Sequence, residues 1–355
     1  KQDPHLMWNI ATDLAINSLI DESELPDDVK KRFMITHFFN PPRYMQLLEL
    51  VRGTQTTDDV YKTMIEFGES ILGKGIVHAK DTPNFIGNRI GVYGMMIAIN
   101  LAKEHGLSVE EVDKLTGPIS GRPKSATFRT ADIVGLDTLK NVSLTTYEKA
   151  SDDEERDKFQ IPSILENLIE AGRLGQKTKS GFYKKNEDRS IHSVDLKTGE
   201  YGPMDTVRFD CFRVAKDRQR LADKVKALCE GDDRGGTYFW EITAKMLIYS
   251  ANRIPEISDD IVNIDNAMKW GFGWETGPFE TWDLLGVIKT IDRMKSEGKR
   301  FPKWISEMID SGRHTFYNTE NGLKTYWCPI KKQGLPIVSN SKIFNIALHK
   351  TAENT

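Results

Sequence analysis

The chain has 355 residues, of which 39% are hydrophobic and 28% charged, and its formal net charge is −3. That length allows two or three domains, and that charge offers no field to draw nucleic acid or an anionic membrane. Cys211, Cys229 and Cys328 lie far apart, and the seven histidines show no metal-ligand spacing with Cys or Glu, so neither a disulfide framework nor a metal centre is expected. A reducing cytoplasm is the expected compartment. The opening Lys1-Gln2-Asp3-Pro4 lacks the basic-then-apolar start of a secretion signal.

Residues 1–30 give no clean period and end in a turn at Glu24-Leu25-Pro26-Asp27-Asp28. Phe33 to Phe39 and Met45 to Val51 then read as two strands around a turn holding Pro41 and Pro42. Folded back antiparallel about Arg43, they set His37 opposite Glu49. A carboxylate beside an imidazole fixes its tautomer and favours its charged form, as a general base requires. The alternative is a lone histidine at a strand end, satisfied by a backbone carbonyl. Thr56-Thr57-Asp58-Asp59 looks like a helix start, and Val60, Met64, Phe67, Ile71 and Leu72 give an amphipathic face that Gly73-Lys74-Gly75 ends. Ile76 to Ala79 is a third strand. Residues 31–80 thus read as the closing portion of a sheet.

After Lys80-Asp81-Thr82-Pro83 the chain turns mostly helical. Phe85 to Ala102 is apolar, but Asn88, Arg89 and Asn100 would be expensive in lipid, so a buried helix of a soluble domain is expected rather than a membrane span. Gly87, Gly91 and Gly94 on that helix allow close approach of another backbone. Asn88 among them either bonds a neighbouring element or faces a cleft. Ser108-Val109-Glu110-Glu111 is a capping box, and Ala126 to Leu136 begins a further helix. Residues 151–158 read as a solvated charge run and Pro162 to Ala171 as an amphipathic helix. The basic loop from Leu174 to Tyr183 is either a surface loop anchored by Phe182 and Tyr183 or a lysine cover for an anionic ligand. Residues 185–230 are polar and poorly periodic, with Lys197-Thr198-Gly199-Glu200 as a hairpin-like turn, as in a linker with some local structure.

The chain then repeats itself at an offset of 151 residues. Phe279-Glu280-Thr281-Trp282-Asp283-Leu284-Leu285-Gly286 lies over Phe128-Arg129-Thr130-Ala131-Asp132-Ile133-Val134-Gly135. Ile264-Asp265 matches Val112-Asp113, and Ile309 to Arg313 matches Ile169 to Arg173. These are two copies of one helical module, whose apolar faces are expected to pack on each other. The expected division is a sheet portion over 1–80, a first helical domain over 81–185, a linker over 186–230, a second helical domain over 231–330 and a tail over 331–355.

His37-Phe38-Phe39-Asn40-Pro41, Glu49, the run from Lys80 to Arg89 and Gly277-Pro278-Phe279-Glu280 together resemble the NAD-dependent 3-hydroxyacyl-CoA dehydrogenase family. The resemblance covers about residues 27–320 and is nearest to bacterial multifunctional fatty-acid oxidation proteins with two copies of the helical domain. It implies a mainly α fold with a small α/β portion. In that fold, a remnant of a Rossmann-like NAD-binding sheet precedes two homologous C-terminal helical domains packed as a pseudo-dimer within a monomer. It implies His37 as the base that takes the proton of the 3-hydroxyl, Glu49 as its orienting partner, Asn88 as a donor to the substrate oxygen, and Asn40 and Lys177 as contacts to NAD. The substrate would be a 3-hydroxyacyl-CoA thioester. The sequence departs from the family in having no Gly-x-Gly-x-x-Gly turn and no serine in register near Ala11-Thr12-Asp13-Leu14-Ala15, with Ser18 the nearest. The expectation is therefore a chain lacking most of its cofactor half, with a possible enoyl-CoA hydratase-like domain beyond Thr355. The alternatives are a non-catalytic helical scaffold and another hydroxy-acid dehydrogenase on a related frame.

Overall fold

The structure, a computed structural model, describes residues 25–320 and 322–337. The readings at Ala11–Ala15 and Ser18, and those beyond residue 337, lie outside these residues. A short helix α1 (Asp27–Lys30) leads into β1 (Met34–Phe38), β2 (Leu47–Arg52), α2 (Asp58–Glu66, continued by a π turn over Phe67–Ile71) and β3 (Gly75–Ala79). β1 runs antiparallel to β2, and β2 runs parallel to β3 across the α2 crossover.

The central strand explains the layering. Side chains alternate faces along a strand. Leu48 and Leu50 pack with Met34 and Tyr61 on the α2 side. Leu47 and Val51 join Val77 and Ala79 in the large core shared with the helices. A strand buried on both faces carries no solvent-facing polar positions. Glu49 lies on the helix-facing side between Leu47 and Val51 and is fully buried, so its charge needs partners inside the protein.

The first helical module holds α3 (Gly87–Glu104), α4 (Val109–Leu115), α5 (Phe128–Val134), α6 (Leu136–Lys149) and α7 (Ser163–Glu170). Ser108 and Glu111 form the capping box expected of α4. A meander of β4 (Tyr183–Lys185), β5 (Ile191–Val194) and β6 (Tyr201–Pro203) follows, then α8 (Asp210–Lys216) and α9 (Leu221–Glu230). This corrects the linker reading of 186–230. Val194, Phe209, Cys211, Ala215, Val225 and Leu228 are all buried, and their wide spacing among polar residues hid the pattern.

The second module contains α10 (Arg234–Asn252), α11 (Ile261–Phe272), α12 (Pro278–Leu285), α13 (Val287–Ser296) and α14 (Lys303–Asp310). It closes with β7 (Tyr317–Glu320), β8 (Leu323–Cys328) and β9 (Gln333–Pro336), so the module's strands run on into the segment expected as tail.

The repeat is visible in the hydrogen bonds. Asp113 accepts from the backbone amides of Thr127, Phe128 and Arg129 and from the Tyr183 hydroxyl. Asp265 accepts from the amides of Phe279 and Glu280 and from the Tyr317 hydroxyl. Asp132 accepts from the amides of Phe182 and Tyr183, and Asp283 from those of Phe316 and Tyr317. In each copy one aspartate caps a helix start while another fixes the first strand of the meander.

The modules pack through α3 and α10. Tyr93 stacks on Tyr249 with ring centroids 3.8 Å apart, and the Tyr238 hydroxyl donates to the Ala98 carbonyl. The two pairings run in opposite order along the chain, so the helices are antiparallel. Gly94 lets Met246 approach; a Cβ there would lie 2.9 Å from its sulfur. One end of this interface is ionic. Arg89, fully buried, donates to Asp153 at 2.7 Å, to Glu256 at 2.8 Å and to the Tyr249 hydroxyl at 2.7 Å. Arg253 bridges Asp153 at 3.2 Å. The charge run 151–158 is thus not all solvated, since Asp153 is a buried acid that ties both modules together.

Candidate active site

The turn between β1 and β2 sets the site's register: His37 pairs with Glu49 directly across the ladder. Lys74 holds that turn closed, its ammonium donating to the carbonyls of Met45 at 2.7 Å and of Pro42. The His37 Nδ1 lies 2.5 Å from Glu49 Oε2, and both side chains are nearly or wholly buried. The other carboxylate oxygen, Oε1, accepts from the amides of Ile86 at 3.0 Å and Gly87 at 2.8 Å. These amides belong to the start of α3, where free N–H groups and the helix dipole favour an anion. Glu49 is thus fixed by three donors, and it in turn fixes the ring. The Nε2 of His37 has no hydrogen-bond partner among the described residues.

Aromatic rings wall the pair. Phe39 lies 5.0 Å and Phe85 5.7 Å from the His37 ring, centroid to centroid. Asn84 and Phe85 both have positive φ, 64° and 50°. Such backbone is costly for a phenylalanine and persists only where its surroundings hold it. Here Asn84 is anchored by donating to the Val142 carbonyl at 2.7 Å and the Thr146 hydroxyl at 2.6 Å. The left-handed step brings Phe85 onto the ring and aims the next two amides at Glu49. Nothing in the sequence marked Phe85 for this conformation.

The second module also reaches the wall. Phe272, at the end of α11, meets Phe39 edge-on at 5.5 Å. Gly87 and Gly271 leave the space for Phe39, since a Cβ at either would crowd its ring. The second copy thus contributes a ring to the wall around Phe39 as well as packing on the first copy.

Asn88 sits one residue beyond the amides that hold Glu49 and is partly buried, and its side chain has no hydrogen-bond partner among the described residues. Asn40 is exposed just past β1. Lys177 is held elsewhere: its ammonium reaches both oxygens of Asp137 at 2.6 Å, next to Gly135, and no contact brings it to His37. Among the described residues there is no cluster of metal-ligating side chains, and no helix is long and apolar enough to cross a membrane.

Two family models match this chain. One described as 3-hydroxyacyl-CoA dehydrogenase, NAD binding domain, covers residues 11–82, and one described as 3-hydroxyacyl-CoA dehydrogenase, C-terminal domain, covers residues 85–185. A probable 3-hydroxyacyl-CoA dehydrogenase of Bacillus subtilis is 48% identical over 301 residues, which is 85% of this chain and 38% of that protein. A putative fatty acid oxidation complex trifunctional enzyme of Rickettsia prowazekii is 30% identical over 83% of this chain and 40% of its own length. The chain therefore spans well under half the length of these curated relatives. The crystal structure of 3-hydroxybutyryl-CoA dehydrogenase from Escherichia coli K12 superposes with a TM-score of 0.57 at 19% identity, over 82% of this chain and 73% of that one, a likeness of fold. With both domain models matching in chain order and a relative 48% identical over 85% of this chain, the chain belongs to the 3-hydroxyacyl-CoA dehydrogenase family.

Proposed function

We propose that this chain carries the acid–base machinery of an NAD-dependent 3-hydroxyacyl-CoA dehydrogenase of fatty-acid β-oxidation, which converts a 3-hydroxyacyl-CoA thioester to the 3-ketoacyl form. The observation that carries the reading is the buried His37–Glu49 pair, with Nδ1 held by the carboxylate and Nε2 without a partner among the described residues. Oxidising a secondary alcohol removes a proton from oxygen and a hydride from carbon. His37 Nε2 takes the proton, and the imidazolium so formed is balanced by Glu49. Asn88 donates to the substrate oxygen as it becomes a carbonyl, which holds C3 beside the base. The aromatic wall keeps water from the ring.

NAD, when bound, supplies the hydride acceptor. The fit of the residues present is partial. The β2–α2–β3 unit has the parallel crossover from which dinucleotide sheets are built, and Asn40 stands exposed at the strand end beside His37. Lys177, the other proposed contact to NAD, pairs with Asp137 in a part-exposed ion pair that a ligand phosphate could replace.

The packing of α3 on α10 supports a monomer carrying its own pseudo-dimer, divided near residues 80 and 230. The three buried cysteines are free, which supports a reducing cytoplasm. Titration with NAD, followed by fluorescence or calorimetry, tests the cofactor reading, and the absence of binding would favour the scaffold alternative. Turnover of acetoacetyl-CoA with NADH tests the base; a His37→Ala variant that keeps full activity would reject it.

A further inference from the structure

We propose that Phe272, which ends α11 in the second module, is a positioning residue for His37. It holds the Phe39 ring beside the imidazole and so shields the His37–Glu49 hydrogen bond from water. The catalytic consequence rests on the dehydrogenase reading; the shielding does not. His37 is 3% exposed and Glu49 0%, whereas Phe39 and Phe85, the two rings beside them, are half-buried. The pair therefore gives way to solvent through these rings. A hydrogen bond kept from water is electrostatically stronger, and its proton exchanges only when the cover opens.

Phe39 stands one residue past the last paired residue of β1 and just before exposed Asn40, so its ring is placed by packing. Three neighbours place it. A Cβ at Gly87 of α3 would lie 2.5 Å from its Cζ, and one at Gly271 of α11 would lie 3.1 Å from its Cδ1 and Cε1, so both backbones close on the ring. Phe272 meets its edge at 5.5 Å. Two of these three neighbours belong to the second module. Phe272 is itself seated, since a Cβ at Gly91 of α3 would lie 2.0 Å from its Cζ. Phe85 is secured differently, by the left-handed step that Asn84 anchors within the first module. Each copy thus secures one of the two rings, and the second copy serves the pair without touching it.

The test is exchange of the His37 Nδ1 proton with water, read by NMR on the full chain. The variants are Phe272→Ala, Phe272→Leu, Phe39→Ala and the double variant Phe39→Ala/Phe272→Ala. Trp270→Ala is the control: it lies on the same helix but packs on Gly75 of β3. Expected is exchange at least about tenfold faster in Phe272→Ala, with Phe272→Leu between it and the parent. Phe272→Leu also decides the matter should the alanine variant not fold. The double variant should exchange no faster than Phe39→Ala, because both changes open the same cover. Trp270→Ala should lower Tm yet leave exchange within about threefold of the parent. On the dehydrogenase reading, kcat for acetoacetyl-CoA with NADH falls in Phe272→Ala while KM stays within about twofold. Exchange in both Phe272 variants within about threefold of the parent, or a parent proton already in fast exchange, would overturn the proposal. So would additive effects in the double variant, equal acceleration by Trp270→Ala, or an unchanged kcat despite faster exchange. A parent chain without turnover would count against the dehydrogenase reading alone, and the exchange rates would then decide the positioning role.

Discussion

Glu49→Gln separates the roles of the two carboxylate oxygens. Both backbone amides, from Ile86 and Gly87, end on Oε1, whereas His37 Nδ1 meets Oε2. A glutamine must therefore keep its carbonyl oxygen on the amides, because turning the side chain over would set an NH2 group against two N–H donors. The NH2 group then faces His37 Nδ1 and donates to it. That forces the neutral ring to carry its proton on Nε2, the nitrogen that must accept one from the substrate. An amide that stabilises the wrong tautomer costs a general base about 10⁴ in turnover, or roughly 5 kcal/mol of transition-state stabilisation. The folding cost is much smaller. The two amide bonds survive, and one charge-assisted bond is exchanged for a neutral one, a loss of about 1–2 kcal/mol. The assay is turnover of acetoacetyl-CoA with NADH beside urea denaturation. ¹⁵N NMR of the His37 ring reads the tautomer independently of activity. Turnover within about tenfold of the parent, or a ring whose Nε2 still lacks a proton, would refute the reasoning.

Three other perturbations probe what surrounds the pair. In Gly91→Ala the new Cβ would lie 2.0 Å from Cζ of Phe272, so the usual helix gain of about 1 kcal/mol should be outweighed by overpacking of about 1–3 kcal/mol; a variant as stable as the parent in urea would show that Phe272 yields freely. Asp153→Ala removes an acid shared by Arg89, Arg253 and Tyr249 and should cost about 3–5 kcal/mol in thermal or chemical unfolding, with a loss under about 1 kcal/mol counting against a buried ionic tie between modules. Burial pushes the carboxyls of Asp113, Asp132 and Asp283 up to about 6, against the pull of the amides they accept from. The folded state then holds more protons than the unfolded chain between about pH 4 and pH 6. Stability is therefore greatest below the ordinary carboxylate pKa and falls as pH rises through that window, by at most about 3 kcal/mol per group, and denaturation midpoints that rise across it would contradict the shifts.

The facing of His37 and Glu49 was legible because an antiparallel turn leaves little freedom. Once Phe33–Phe39 and Met45–Val51 are strands, a centre near Arg43 fixes the register. What holds Glu49 was not legible, since the two amides arise from the left-handed step at Asn84 and Phe85, and phenylalanine has no preference for that conformation. Asp153 was misread for a related reason. A run of charges signals solvation only when no buried countercharge awaits it, and Arg89, a cation in the apolar first turns of its helix, was the complementary clue. Of the meander only the turn at Lys197-Thr198-Gly199-Glu200 between β5 and β6 was legible; the strands and the helices over 183–230 were not, because their inward residues are few and widely spaced. The loop bearing Lys177 reads equally as a surface loop anchored by Phe182 and Tyr183 or as a cover for an anionic ligand, and the pairing of Lys177 with Asp137 could not be foreseen, since the two lie 40 residues apart.

The duplication explains how a second copy without its own acid–base pair still meets the first copy's site. Asp113 and Asp265, and Asp132 and Asp283, hold equivalent backbone amides, so the frame of each module is fixed by a few buried carboxylates that the repeat preserves. Residues outside that frame are free to serve the contact each copy makes. In the second copy, α11 presents Trp270 against Gly75 of β3 and Phe272 against Phe39, while Asn263 accepts from the His78 amide at 2.9 Å. The main chain after β3 is fastened to the same module, with the Lys80 amide donating to the Ile257 carbonyl and its ammonium to that of Pro255. The sheet bearing His37 is therefore docked on the second module as well as continued into the first. Loosening α11 should disturb the ring that packs on the base before it disturbs the base itself, which is why Phe272 belongs to the physical description of the site although it lies far from His37 in the chain.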